Sequence, residues 1–269
     1  MRAFVNHFTF EFRTGLRNAN QLLMNYLFPL GFYAMMGLVM TQINPLFQAT
    51  MIPAMIVFAA MATGLLGLPS PLVESREAGI YRSYKINGVP ASSILAIPTL
   101  TTVFHNVIVS AIIAITAGPI FGAAAPQQWG TFALLTLLTA FTHAALGALI
   151  GVVSANTRAT VLLSQIIFVP SCILGGMMMP SDLLPESVQR FSALLPPTHS
   201  MQAFLGLAYG QETVLDPVAA VLILLTSGLL AFGLAIYLFN WDRQNNVRRG
   251  HPLLALLALV PYVFGMFIA

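Results

Sequence analysis

Charge is scarce in this sequence: only 7% of its 269 residues are Asp, Glu, Lys or Arg, where an average soluble chain carries roughly 25%. Hydrophobic residues make up 58%, and the mean hydropathy is +0.84, which excludes a soluble globule and indicates a membrane protein. The lone cysteine, Cys172, excludes an intrachain disulfide and sits in an apolar run, where an inert buried thiol is the expected form. The lone lysine, Lys85, follows no glycine-rich loop. G-x-x-x-x-G-K-[ST] is therefore absent, and nucleotide phosphates cannot be cradled here in the P-loop manner. H-E-x-x-H, C-x-x-C and G-x-S-x-G are missing too. No carboxylate falls in the middle of an apolar stretch, which counts against a proton- or sodium-driven carrier. The first twenty residues lack an apolar core followed by a small-residue cleavage site, so no secretory signal peptide is expected. No internal repeat, soluble domain or low-complexity linker interrupts the chain.

What is present is a series of apolar stretches of spanning length, about twenty residues each. They run from Leu22 to about Ile43, Met51 to Leu68, Ile94 to Ile120, Phe132 to Val153, Val161 to Met179 and Val218 to Phe239. The fold class expected is an all-α integral membrane protein with six transmembrane helices in a single domain over 1–269. Residues 1–20 place Phe4, Phe8, Phe12 and Leu16 at four-residue spacing, with Arg2, Arg13 and Arg17 elsewhere around the turn, the pattern of an amphipathic helix in the membrane interface. With the N-terminus cytoplasmic, the inside segments hold Arg2, Arg13, Arg17, Arg76, Arg82, Lys85, Arg158, Arg243, Arg248 and Arg249, and the outside segments only Arg190. The positive-inside rule thus predicts a multi-pass protein of the cytoplasmic (inner) membrane. A net charge of +3 reflects this orientation and does not imply nucleic acid.

The external segment 180–216 then contains Ser181 followed by Leu-Leu-Pro-Glu, and Leu194 to Pro197, predicting two short helices with a proline break. Leu183, Leu184, Val188, Phe191 and Leu195 favour a re-entrant hairpin over a soluble lid. Residues 251–269 are apolar but short and interrupted by Pro252 and Pro261. They are either a seventh span or an interfacial or re-entrant helix, with the span preferred.

The exception to the shortage of charge is Ser70 to Ser93, with Glu74, Arg76, Glu77, Arg82 and Lys85. Ser70 as cap and Pro71 at the first position predict one helix, stopped by Asn87-Gly88 and Pro90. No Glu precedes a Lys or Arg by four residues, so the charges read as available to a partner rather than paired with one another. Ile80 and Tyr84 share a face with Arg76, giving a short amphipathic helix suited to a membrane surface or a protein cleft.

Three further patterns bear on chemistry. His105 and His143 fall near mid-depth of the third and fourth spans, where a haem or metal site would use such a pair. A hydrogen-bonded structural role, with Asn106 and Thr142 close by, is the simpler reading. Gly147 and Gly151, with Ala144, Ala148 and Ala155, form a small-residue stripe for close helix approach, expected within the chain. The methionines Met35, Met36, Met55, Met61 and Met177 to Met179 are flexible core filler or, alternatively, an adaptable apolar surface.

Two segments, Glu74-Ser-Arg-Glu-Ala-Gly79 continuing through Tyr81 to Pro90, and Gly175-Gly-Met-Met-Met-Pro180 through Leu183-Leu-Pro-Glu186 to Leu195-Pro-Pro-Thr-His199, give the chain a resemblance over about residues 1–245. With six spans in this order, it resembles the permease subunit of a type 2 ABC exporter. The resemblance implies that 70–93 is a coupling helix acting through Glu74, Arg76, Glu77, Gly79, Tyr81, Arg82 and Lys85, and that 1–20 is a connecting helix. It implies a separate P-loop ATPase that holds the ATP and Mg, no cofactor on this chain, and a second permease chain, expected to be identical, so that the complex is a homodimer in membrane lipid. A substrate path at the dimer axis would be lined by the second and fifth spans, making Met55, Phe58, Met61, Gln165, Phe168 and Cys172 candidates. Few charges along that path favour an apolar or amphipathic substrate such as a lipid or lipophilic drug. A redox or metal protein using His105 and His143, and an ATPase-independent channel or scaffold, are the alternatives. The tail 251–269 departs from the family's pattern.

Overall fold

The computed structural model describes residues 9, 11–15, 17–44, 46–178, 184–241 and 250–268. Among these residues every regular element is a helix. Six are long and apolar enough to cross a membrane: α1 (Ala19–Ile43), α2 (Phe47–Glu77), α4 (Ala91–Phe121), α5 (Trp129–Val153), α6 (Thr157–Leu174) and α9 (Pro217–Leu238). Between α2 and α4 lies α3 (Ile80–Ile86); between α6 and α9 lie α7 (Glu186–Ser192) and α8 (Pro196–Ala203). These spans begin and end within a few residues of the expected limits, except that α2 continues past Leu68 to Glu77.

The bundle is built around α2. That helix is apolar on every side, and a helix of that kind belongs in an interior; from Met51 to Leu65 it is buried throughout. Helices α1, α4, α5 and α8 sheath it. The closest approach is to α5, where a Cβ on Gly147 would overlap the carbonyl oxygen of Gly64, and one on Gly64 would stand 2.6 Å from the carbonyl carbon of His143. One turn further on, a Cβ on Gly151 would sit 3.0 Å from the carbonyl oxygen of Pro69. The small-residue stripe therefore packs within the chain. Thr142 Oγ1 donates to the carbonyl of Leu224 at 3.1 Å, tying α5 to α9 on its other side.

Both α1 and α2 contain a π-helical turn, Leu23–Leu27 and Ala62–Gly67, and the two turns pack together. Asn25 Oδ1 lies 2.9 Å from where a Cβ of Gly67 would stand, so this contact too depends on a missing side chain.

The segment 70–93 differs from the single helix expected. The chain arrives at Leu68 still helical from the π turn, so Pro69 takes the first position and Ser70 caps nothing. The helix then breaks at Ala78-Gly79, with Gly79 at φ 74°, before α3 begins. Only glycine adopts that region without cost. Gly79→Val is expected to destabilise this turn by about 1 kcal/mol or more, read as increased proteolytic nicking between Glu77 and Ile80. The far end behaves as expected: Gly88 has φ 72°, and the amide of Val89 donates to the carbonyl of Tyr84 at 3.0 Å, closing α3.

Of the N-terminal residues 1–20, Phe4, Phe8 and Leu16 lie outside the described residues. Phe12 stacks on His105 at 4.7 Å and meets Phe104 edge-on at 5.5 Å, so this turn rests against α4. Ser181 and Leu183 also lie outside the described residues, but two short helices are present as expected, α7 ending at Ser192 and α8 opening on Pro196-Pro197 after a break at 193–195. Every residue of α8 is buried, whereas Phe191 on α7 is exposed rather than packed inward. The apolar tail forms a 3-10 helix, Pro252–Leu259, followed by α10 (Val260–Ile268). It runs back along α9, from Gly250 beside Tyr237 and Leu238 to Gly265 beside Ile223.

Candidate coupling and transport sites

At the end of the bundle that carries 70–93, Arg76 is buried at 9% exposure, although its charge was expected to be available to a partner. Its Nη1 donates to the carbonyl oxygen of Val152 at 2.9 Å, and its Nη2 donates to that of Ser154. Those are carbonyls at the C-terminal end of α5, which no residue of its own helix satisfies. A planar guanidinium answers both at once and places its positive charge at the negative end of the helix dipole. Beyond Ser154 the chain turns directly into α6, whose first amides are capped by Asn156, Oδ1 accepting from the amide of Ala159 at 2.8 Å. Thr157 Oγ1 donates to Glu77 Oε2 at 3.4 Å. The end of α2 is thus strapped to the turn between α5 and α6.

Tyr81 makes the other attachment. It is buried, although the face expected to be apolar was that of Ile80 and Tyr84, and its ring packs on Phe239 at 5.4 Å. Burial pushes its phenol well above the ordinary tyrosine value, opposed by a hydrogen bond to Ser75 and reinforced by the charge of Glu11, so it stays neutral. Tyr84 is raised in the same way, by burial and then by Glu11. Ile80 instead faces outward, as do Glu74, Glu77, Arg82 and Lys85. A recess of about 420 Å³ with a mixed polar and apolar lining opens between the N-terminal turn, Glu74, Tyr84 and His105.

The six path candidates do not form one surface. Met55 and Met61 are at 0% exposure within the sheath around α2, so they are core residues of the protomer. Phe58 and Phe168 do meet, with ring centroids 5.8 Å apart, inside a cluster completed by Phe28 and Phe32 of α1. Phe32 lies flat against Phe58 at 3.8 Å. Gln165 lies on the outer face of α6 with Leu162, Ile166 and Val169, and Cys172 is half-buried at its edge. The two α1 rings lie outside the second and fifth spans to which the resemblance pointed; their signal in the sequence is Phe28-Pro-Leu-Gly-Phe32, two rings one helical turn apart.

The histidines have separate partners. His105 Nδ1 and Tyr26 Oη share a hydrogen bond of 2.6 Å between α4 and α1. His143 Nδ1 donates to the carbonyl of Thr139, on its own helix, at 2.8 Å. Asn106 receives a bond from Ser110, and Thr142 bonds α9, so neither completes a site with the imidazoles. Among the described residues no three His, Cys, Asp or Glu side chains gather as metal ligands.

Similarity to known proteins bears on the family of the chain. The family model described as ABC-2 type transporter matches residues 3–209. A Bacillus subtilis (strain 168) protein carrying the name transport permease YvfS is 25% identical over 199 residues, 70% of this chain and 78% of that protein. No solved structure matches the chain. Proteins of this kind work with ABC ATPase subunits and do not hydrolyse ATP themselves. With six membrane-crossing helices in one bundle and the family match covering most of its length, the chain belongs to the ABC-2 type transporters as a multi-pass membrane permease.

Proposed function

We propose that this permease is the membrane half of an ATP-driven exporter, which moves an apolar or amphipathic substrate, a lipid or lipophilic drug, out of the cytoplasm or inner leaflet. Its N-terminus and the segment 70–93 face the cytoplasm, where a separate P-loop ATPase, carrying ATP and Mg, docks on the outward-facing Glu74, Glu77, Arg82 and Lys85. Two permease chains, expected to be identical, pair about the path, and α7 and α8 form the external hairpin with α8 turned back into the membrane.

The observation that carries this reading is the double attachment of the charged segment. Arg76 fixes the end of α2 to the α5–α6 turn, and Tyr81 fixes α3 to the end of α9. A push on the segment as a rigid body would therefore reach α2, α5, α6 and α9 together. In this scheme Arg76, Gly79 and Tyr81 hold the coupling segment in place, while the exposed charges make docking specific. The exposed apolar face of α6, with Gln165 and the edges of Phe168 and Cys172, would line the path between the two chains. Met55 and Met61 support it from behind.

The test is a mild-detergent pull-down of the tagged protein from its native cells. A P-loop ATPase with vanadate-sensitive turnover should co-purify; recovery of the permease alone under several detergents would move the weight to a channel or scaffold. In the same assay Glu77→Arg combined with Arg82→Glu should leave insertion intact and lower ATPase recovery about tenfold, the effect of roughly 1.4 kcal/mol. Undiminished recovery would remove the docking role from these charges.

A further inference from the structure

The segment 250–268 carries an inference that the family does not supply, since the family match stops at residue 209. It is short for a crossing: as an α-helix, 17 residues would cover about 25 Å of a hydrocarbon layer that is about 30 Å thick. Yet eight of those residues, Pro252–Leu259, form a 3-10 helix and only the nine of Val260–Ile268 an α-helix. A 3-10 helix rises about 2.0 Å per residue, so the mixed segment reaches about 30 Å. An eight-residue 3-10 run is unusual, and here it supplies the missing length.

The contacts agree along the whole course. At one end Gly250 lies against Leu238, the last residue of α9, in the recess that also holds Arg76 and Ser154. Midway, Ser227 Oγ donates to the carbonyl of Ala258 at 2.8 Å, answering a backbone acceptor that a 3-10 helix shares poorly. At the other end Tyr262, fully buried, packs on His199 of α8 with centroids 5.4 Å apart. A Cβ on Gly265 would stand 2.7 Å from His199 Cε1 and 3.1 Å from Ile223 Cδ1. The opposite side is apolar throughout: Leu253, Leu256, Val260, Val263, Phe264 and Phe267 are all exposed.

We propose that 250–268 is a seventh membrane span, antiparallel to α9, which brings Ile268 to the side of the α7–α8 hairpin and pins α8 through Tyr262 and Gly265. Its outer stripe faces lipid, and its inner side closes the back of α9. The hairpin is thereby held from behind as well as by its own backbone bonds, so that its movement requires the tail to slide or detach.

The test compares sides and does not depend on which side is cytoplasmic. In a Cys172→Ala background, one cysteine is introduced at a time: behind Ala269 on a short Gly-Ser extension, at Phe191 in the hairpin, or at Lys85 in the charged segment. A membrane-impermeant maleimide is applied to oriented membranes before and after permeabilisation. The extension should react from the same side as Phe191→Cys; reaction from the side of Lys85→Cys, or from neither, overturns the crossing. For the pinning, Gly265→Leu should lower the melting temperature by roughly 3 °C or more, the scale of a one-kcal/mol change in a chain of this size. Leu256→Ala, on the lipid side, serves as the reference. A Gly265→Leu protein as stable as that reference overturns the pinning while leaving the crossing to be judged by the labelling.

Discussion

Replacing Gly147 with alanine, the smallest change available, is expected to abolish or severely reduce the yield of folded permease. In water-soluble proteins an added methyl in a tight core costs about 1–3 kcal/mol because neighbouring side chains turn aside. At Gly147 there is no side chain to turn aside: the new methyl would overlap the carbonyl oxygen of Gly64, on the backbone of the central helix. The backbone of Gly64 is itself confined by the carbonyl of His143. Either α2 and α5 separate along several turns or the π turn around Gly64 is lost. The reference substitution is Gly233→Ala, on α9, where a Cβ meets nothing within 4 Å. That change should be neutral or stabilising by up to about 1 kcal/mol, since glycine is the poorer helix former. Monodisperse yield after detergent extraction, compared between the two variants, is the measurement. Equal yields would mean that the two helices do not touch through their backbones.

Arg76→Met should leave a protein that inserts but neither transports nor responds to its ATPase. Methionine keeps most of the apolar stem and removes the fork, so the carbonyls of Val152 and Ser154 lose their donor at roughly 1–3 kcal/mol each. The strap between α2 and the α5–α6 turn goes with them. Arg76→Lys should not restore function, because one ammonium cannot answer two carbonyls in the plane of a guanidinium. The measurements are transport-stimulated ATP hydrolysis in the reconstituted complex and co-purification of the ATPase. The expected pattern is retained co-purification with lost stimulation, since Arg76 faces inward and the charges proposed for docking face outward. Loss of both would make Arg76 a docking residue; loss of neither would end its role as a strap.

The spans were legible in the sequence because hydropathy and length are local properties, and the limits of α1, α4, α5 and α9 were met within three residues. The stop at Asn87-Gly88 was legible for the same reason: a left-handed glycine closing a helix is short-range chemistry. Gly79 adopts the same left-handed conformation and was passed over, because one glycine inside a helical pattern is usually tolerated and nothing nearby marked the break. The partner of Arg76 could not be read at all. Its acceptors are backbone carbonyls 76 and 78 positions away, and a carbonyl has no residue type to signal it. The available hint was the polar turn Ser154-Ala-Asn-Thr157, which ends an apolar helix without a glycine or a basic residue of its own. The enclosure of Met55 and Met61 within the protomer was illegible for a related reason. Apolarity marks them as hidden from water, but it does not distinguish lipid, a passage and a protein interior as the hiding place.

That ambiguity has a consequence for how the chain is made. The central helix α2 is almost wholly enclosed by its own chain, and yet it is more apolar than α6, the span least enclosed. Its neighbour α5 does not yet exist when α2 is complete: it begins about fifty residues later, some 3–10 s at ordinary rates of synthesis. During that interval α2 must remain in the bilayer without α5, the helix that it meets backbone to backbone. Its uniform apolarity suits the solvent it meets first, and its glycines suit the protein that later replaces that solvent. Substitutions on α2 should accordingly divide into two groups, those that impair insertion by the translocon and those that impair assembly afterwards.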